Sequence, residues 1–459
     1  MSEEEEDKAP QENPQPTLKH RVEFALFRAL EGVLGLMSLP TVAKIGGALG
    51  LAAHALSAKR RRLVRRNLRI ATAASPPADM DGLVRETFRR SGANMLASQR
   101  AATMPPGKLR EYLSLEGFEH LLDPLRGGRG VVMVWAHMGN WEVLAQLIRE
   151  VGGDIQGGPI YRPLENPLLD ALTLKRRTQE GAVVFSKHDG FNGPAGLLRR
   201  GGVVPVMADQ RAGGHGELCQ FFGRLSSCTP LPTLLARRTG TAIVSLSIAS
   251  QPGGRWLLTI RPVPDNAKTP EVMSHLETAM RDSLADIFWF HDRWRTDKMM
   301  PLGFYTKDSP AAAAAKATQP TRMAATLRPG SPDSIATITT LLELRPDLRI
   351  DIIGDASGLP DDPRIVRFPG AITADLLERC DASHPVPLDF VLLLDGNAEL
   401  AGQAKELGLR AIIGVGTSGK PWTRHFPVPG DAADWRELAI KLVLTAKARK
   451  KEQEKQKAG

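Results

Sequence analysis

A chain of 459 residues, 42% of them hydrophobic, can bury a sizeable core and exceeds what one domain usually holds, so two domains are expected. Its three cysteines, Cys219, Cys228 and Cys380, show no C-x-x-C spacing and leave one without a mate, which argues against a disulfide framework or a zinc ribbon and fits a reducing, cytosol-facing location. The formal net charge of +9 suits an acidic partner, whether anionic lipid, phosphorylated saccharide, acidic carrier protein or nucleic acid, and does not choose among them.

Residues 1–20 open with "MSEEEEDKAPQENPQP", acidic, proline-containing and nearly free of apolar side chains, and read as an unfolded tail; they lack the basic start and apolar core of a signal peptide. Residues 22–69 are rich in apolar side chains but interrupted by Arg28, Glu31, Pro40 and Lys44, and no uninterrupted apolar run approaches the roughly 20 residues of a spanning helix. Helices lying in the membrane plane are expected there. The basic cluster Lys59, Arg60, Arg61, Arg62, Arg65, Arg66 and Arg69 either meets anionic headgroups, at about 1 kcal/mol per charge, or forms a solvated helix face.

From about residue 128 strands and helices alternate. Strands are expected at 130–136, 182–186, 202–208, 241–249 and 256–263, which gives an α/β domain whose reactive groups belong where strands end and helices begin. His137 ends the first of these strands, in "VVMVWAHMGNWEV". An acid five places after a histidine is weak as a motif: ten histidines and 51 acids in 459 positions give about one such match by chance. The chain has two. In His384 to Asp389 the prolines of "HPVPLD" preclude a strand-to-helix turn, and that match reads as accidental. At His137 a buried strand precedes, Gly139 permits a tight turn, Asn140 can cap, and Glu142 falls in the first helical turn, where the dipole keeps a carboxylate ionised. Glu142 could then fix the tautomer of His137 while the other ring nitrogen takes a proton from a hydroxyl, a general-base dyad without a protein nucleophile. A structural strand-end histidine followed by a capping glutamate has the same spacing.

The ordered blocks "AHMGNWEVL", "GGPIYRPLENPLLDALTLKRR", "VMADQRAGGHGELCQFFGRLSSCTPLPTLLARRTGTAIV" and "FWFHDRWRTDK" resemble the lipid A biosynthesis acyltransferase family, the lauroyl and myristoyl transferases, over residues 21–304, in a domain expected over 21–305. The resemblance implies acyl transfer to a hydroxyl on a lipid A precursor or related glycolipid, with acyl carrier protein as donor (acyl-CoA being the other thioester), no cofactor, and a site on the cytoplasmic face of the inner membrane. It places the catalytic dyad on His137 and Glu142, and the family's arginine and aspartate blocks on Arg162 and Asp209. Arg162 suits a phosphate, a developing oxyanion or a surface ion pair; Asp209 either positions substrate or pairs with Arg211. With Asn140 and Arg211 these form the expected substrate-binding set. Phe221, Phe222 and Gly223 are expected to line or support an acyl groove, and Asp292 and Arg293 of the "DRW" block to form a structural pair. The positive surface would steer an acidic carrier protein and a phosphorylated glycolipid to one site. Nucleic acid is not expected, since zinc-finger spacing, an aromatic RNA-binding signature and a helix-turn-helix are all missing.

Residues 306–320, alanine- and proline-rich, read as a linker to a second, Rossmann-like α/β domain over 321–445, followed by a basic tail, 446–459. Arg328 to Ser334, "RPGSPDS", resembles the opening of lipopolysaccharide heptosyltransferases, but the Gly-Asp pair expected there aligns with Asp333 and Ser334, and no second, nucleotide-sugar-binding half follows. A degenerate binding or scaffolding domain is therefore expected. The alternatives are a bifunctional acyl and glycosyl transferase, an acyltransferase for another glycolipid, or a non-catalytic membrane adaptor.

Overall fold

The computed structural model describes residues 15–105, 107–144, 155–161, 163–178, 182–186, 190–213, 216–295, 302–303, 317–370 and 372–443. Four helices lead the chain: α1 (Leu18–Gly35), α2 (Leu39–Leu56), α3 (Ala58–Ala71) and α4 (Met80–Ala101). Thr17, Ser38 and Asp79 cap α1, α2 and α4 by accepting hydrogen bonds from their first-turn amides.

By length and composition α2 could cross a membrane. Its Gly46, Gly47 and Gly50, however, are buried against α4, where a Cβ on Gly92 would lie 2.8 Å from the Gly50 Cα, so the two backbones touch. The opposite face of α2 exposes Ile45, Leu49 and Leu56, and α1 exposes Leu18, Val22, Leu26, Leu30 and Val33 at helical spacing. An apolar surface is thus carried along a helix that is itself fastened to the protein.

The basic cluster of α3 is open only in part. Arg61 donates to the carbonyls of His54 and Ala55, Arg66 pairs with Asp389 and Arg69 with Asp381, while Lys59, Arg60, Arg62 and Arg65 remain exposed, Arg65 in a surface pair with Asp81. Guanidinium groups near carboxylates and free carbonyls take those partners in preference to water.

The first sheet has the order β1-β9-β8-β2-β5, with strands β1 (Leu113–Glu116), β2 (Val131–Trp135), β5 (Val203–Met207), β8 (Ala242–Gln251) and β9 (Arg255–Val263); only β8 and β9 pair antiparallel. Between β2 and β5 lie two short paired strands, β3 (Ile160–Tyr161) and β4 (Phe185–Ser186), and β6 (Glu217–Phe221) and β7 (Arg224–Cys228) form a separate hairpin. Alternation along β2 fixes its packing. Val132 and Val134 face Leu197, Leu235 and Met273, carried by α7 (Asn192–Arg199), α8 (Leu231–Thr239) and α9 (Thr269–Arg281). Val131, Met133 and Trp135 face Ala97, Ala101 and Leu121, from α4 and α5 (Glu119–Arg126). Helix α6 (Pro167–Thr178) lies outside these layers, against α1.

The second sheet, of six parallel strands in the order β12-β11-β10-β13-β14-β15, spans β10 (Thr321–Thr326), β11 (Leu348–Ile353), β12 (Ile365–Phe368), β13 (Phe390–Leu393), β14 (Ala411–Val415) and β15 (Arg424–Phe426). Helices α10 (Ile335–Leu344) and α13 (Ala432–Val443) cover one face through Ile338, Leu341, Trp435 and Leu438. Helices α11 (Leu376–Ala382) and α12 (Ala398–Leu407) cover the other through Leu377, Leu400 and Ala404. This is the doubly wound order of a Rossmann unit, as the strand and helix alternation suggests. Most of the expected linker lies outside the described residues; Thr318 and Gln319 lie against the β6–β7 turn.

Candidate active site

Strand β2 is buried throughout between β8 and β5, and His137 follows its end by two residues. The segment after it is held by backbone bonds: Phe288 N–H donates to the His137 carbonyl at 2.8 Å, and Gly139 N–H to the Asp286 carbonyl at 2.9 Å. Gly139 has φ +57°, and a Cβ there would strike the Ile248 carbonyl, so both the left-handed turn and the close approach require glycine. The expected capped helix begins instead as a 3-10 turn over Trp141–Val143, and Asn140 makes no side-chain cap bond. Trp141 sets its ring edge-on to the His137 imidazole, with centroids 5.5 Å apart.

The carboxylate bonded to His137 is Asp209. His137 Nδ1–H donates to Asp209 Oδ1 at 2.9 Å, which fixes one proton on Nδ1 and leaves Nε2 as the acceptor. The Nδ1 partner is thus Asp209, where the sequence reading placed Glu142; Glu142 still acts on the imidazole through space. Glu142 instead pairs with Arg177 at 3.3 Å and is half exposed. The reason lies in the sheet. β2 and β5 are parallel neighbours with Trp135 opposite Met207, so the residues two places on, His137 and Asp209, leave their strands side by side. The signal was available as a near-repeat, "VVMVWAH" at 131–137 and "VVPVMAD" at 203–209.

Burial alone would push the His137 imidazole below the ordinary histidine range; the Asp209 carboxylate, and more weakly Glu142, outweigh it and hold the pKa above that range. Burial would raise Asp209 in turn, but His137 and Arg293 keep it below the usual carboxylate value, so it stays ionised.

A cavity of about 370 Å³ opens beside Glu142, with Phe27, Met95, Leu164 and Leu169 on its apolar walls and Arg176 and Arg177 at its polar side. Met95 and Leu164 are also solvent-exposed, which places an apolar rim on the opening. Asn140 lines this cavity with its side-chain oxygen and nitrogen both buried and without a hydrogen-bond partner among the described residues. A buried amide without partners costs roughly 1–3 kcal/mol, a debt that a polar group of a ligand would cancel. Arg162, just past β3, lies outside the described residues; Arg211 follows Asp209 by two residues and is half buried.

Phe221 and Phe222 do not line the cavity. They are fully buried and pack with Trp289 and Trp294, while Arg293 lies over the Phe221 ring at 4.8 Å. The "DRW" block is structural, but with other partners than expected. Arg293 donates to Ser226 Oγ at 2.5 Å and to the Ser227 carbonyl at 3.1 Å, and Asp292 pairs with Arg410 of the second sheet's unit at 3.0 Å. All three cysteines are free and buried.

A mostly parallel α/β sheet that ends in a carboxylate-bonded histidine, near a partly apolar cavity, is an arrangement able to take a proton from a hydroxyl. The family described as bacterial lipid A biosynthesis acyltransferase matches residues 13–296, and the chain belongs to that family. It is 25% identical over 278 residues to the lipid A biosynthesis lauroyltransferase of Escherichia coli, an alignment covering 58% of this chain and 90% of the relative. To the palmitoleoyltransferase of the same organism it is 23% identical over 282 residues, 58% of this chain and 89% of the relative. The phosphatidylinositol mannoside acyltransferase of Mycolicibacterium smegmatis is 26% identical over 230 residues, 49% and 72% of the two chains. The protein is thus an acyltransferase of the lipid A type, and its second sheet lies outside the family match.

Proposed function

We propose that the protein transfers a fatty acyl chain from acyl carrier protein to a hydroxyl of a lipid A precursor, with His137 as general base. The observation that carries this reading is the His137–Asp209 hydrogen bond at adjoining strand ends within a lipid A acyltransferase. His137 Nε2 takes the hydroxyl proton as the oxygen attacks the thioester carbonyl carbon; the C–S bond then breaks, and the carrier thiol leaves with a proton returned from the imidazolium. Asp209 holds the tautomer and offsets the imidazolium charge. Glu142 adds negative potential and holds Arg177 at the cavity. The apolar walls suit an acyl chain, and Asn140, with Arg162 and Arg211, binds the polar parts of the substrates. The step needs no cofactor.

Membrane attachment follows the exposed stripes of α1 and α2, laid in the plane of the inner leaflet with the site facing the cytoplasm. The Rossmann-like unit is read as a binding or scaffolding module.

The test is acyl transfer by the purified protein, together with the lipid A mass of cells lacking it. Loss of one secondary acyl chain, and transfer abolished in a folded His137→Ala variant, are expected. An active, folded His137→Ala variant would overturn the mechanism, and an unchanged lipid A mass with transfer to a phosphatidylinositol glycolipid would move the acceptor.

A further inference from the structure

The His-x4-Asp match that the sequence presents as accidental ends in Asp389, and this residue is the centre of the contact between the two sheets' units. It is 1% exposed. Its Oδ1 accepts from Arg66 Nη2 of α3 at 2.5 Å; its Oδ2 accepts from Arg224 Nη2 of β7 and from the backbone N–H of Arg322 at 3.0 Å. One helical turn beyond Arg66, Arg69 directs its guanidinium to the end of α11 and the loop after it, donating to Asp381 Oδ2 at 2.5 Å and to the carbonyls of Asp381, His384 and Pro385 at 2.9, 2.7 and 3.2 Å.

Backbone contacts join at the same place. The Thr318 and Gln319 amides both donate to the Gly223 carbonyl, at 2.9 and 2.8 Å, and Gln319 Nε2 reaches the carbonyls of Ile70 and Phe222 at 3.0 and 2.7 Å. Gly223 has φ +75°, and a Cβ on it would lie 2.6 Å from Thr318 Oγ1, so this docking uses the absence of a side chain. Arg410 and Asp292 add a pair of reversed polarity.

Exposed ion pairs contribute little, but this cluster is buried. Without the second unit, Arg66 and Arg224 would lose the carboxylate they share, and Arg69 would lose four acceptors. Arginines on one side face carboxylates and carbonyls on the other, which is complementarity of sign and of hydrogen-bonding role.

We propose that residues 317–443 are a built-in docking partner of the acyltransferase unit, whose acidic face, centred on Asp389 and Asp381, clamps α3 to the β6–β7 hairpin. The hairpin in turn holds Arg293 through Ser226 and Ser227. The inference does not rest on the acyl-transfer reading, and its test needs no substrate.

The test is amide hydrogen exchange on the full chain, comparing the unsubstituted protein with Asp389→Ala and Arg224→Met. Exchange in β6, β7 and the last turn of α3 is expected to accelerate at least tenfold in both variants, with β2 and β8 unchanged. Arg224→Met leaves Asp389 its Arg66 and Arg322 partners, so it reports on the clamp even where Asp389→Ala does not fold. Exchange in the hairpin within twofold of the unsubstituted protein in Arg224→Met would overturn the proposal, showing two units that are neighbours without being coupled.

Discussion

His137 sits between two carboxylates that act on it differently, one through a hydrogen bond and one through space. Removing the imidazole in His137→Ala should lower kcat by roughly 10²- to 10⁴-fold with thermal stability retained. Only neutral imidazole accepts a proton, so the rate should rise with pH through the His137 pKa, on a limb lying above the ordinary histidine value. Asp209→Asn should lower kcat and move that limb to lower pH; Glu142→Gln should move it the same way by less, and pH–rate profiles of the three proteins check both. The raised pKa also contributes stability below the unfolded histidine value, and that contribution is lost as pH rises through the folded one. Asn140 belongs to this scale as well. If its amide binds substrate, Asn140→Ala should raise KM by about tenfold and leave stability unchanged or improved, since it removes two unpaired buried atoms.

Elements hold the site through glycine. Gly139→Ala places a side chain in a left-handed turn against Ile248 and should cost about 1–3 kcal/mol in denaturant unfolding, with a larger loss of activity because His137 shares the turn. The exposed stripe of α1 carries the membrane reading: replacing Leu26, Leu30 and Val33 by serine should weaken vesicle binding at least tenfold without changing Tm, because these side chains are exposed. The longer strands were legible in the sequence, with β2, β5, β8 and β9 falling within two residues of the expected runs, because buried strands write themselves as continuous apolar stretches. The expected strand at 182–186 shrinks to Phe185–Ser186, and the helix after Asn140 opens as a 3-10 turn, since both are set by tertiary contacts and not by local pattern. The site was half legible: a single strand end showed His137, but only strand adjacency brings Asp209 to it.

Across the whole molecule the positive charge is less available than its sum implies. Arg66 and Arg69 are committed to the second unit, so Arg66→Ala should lower stability by about 3 kcal/mol while changing affinity for anionic vesicles less than twofold; unfolding and sedimentation with vesicles separate the two effects. No sequence pattern announced this, because residues more than 300 positions apart meet only after both sheets have formed. The register of β2 and β5 has a wider meaning. On the proposed mechanism the reacting pair is delivered by two neighbouring strands, so the part of the excursion beyond Glu142, which carries Arg162 and α6, can vary without disturbing it. Chemistry and choice of lipid are then expected to be separable by engineering: exchanging that segment with one from another acyltransferase should transplant preference for chain or acceptor while leaving the pH–rate profile in place.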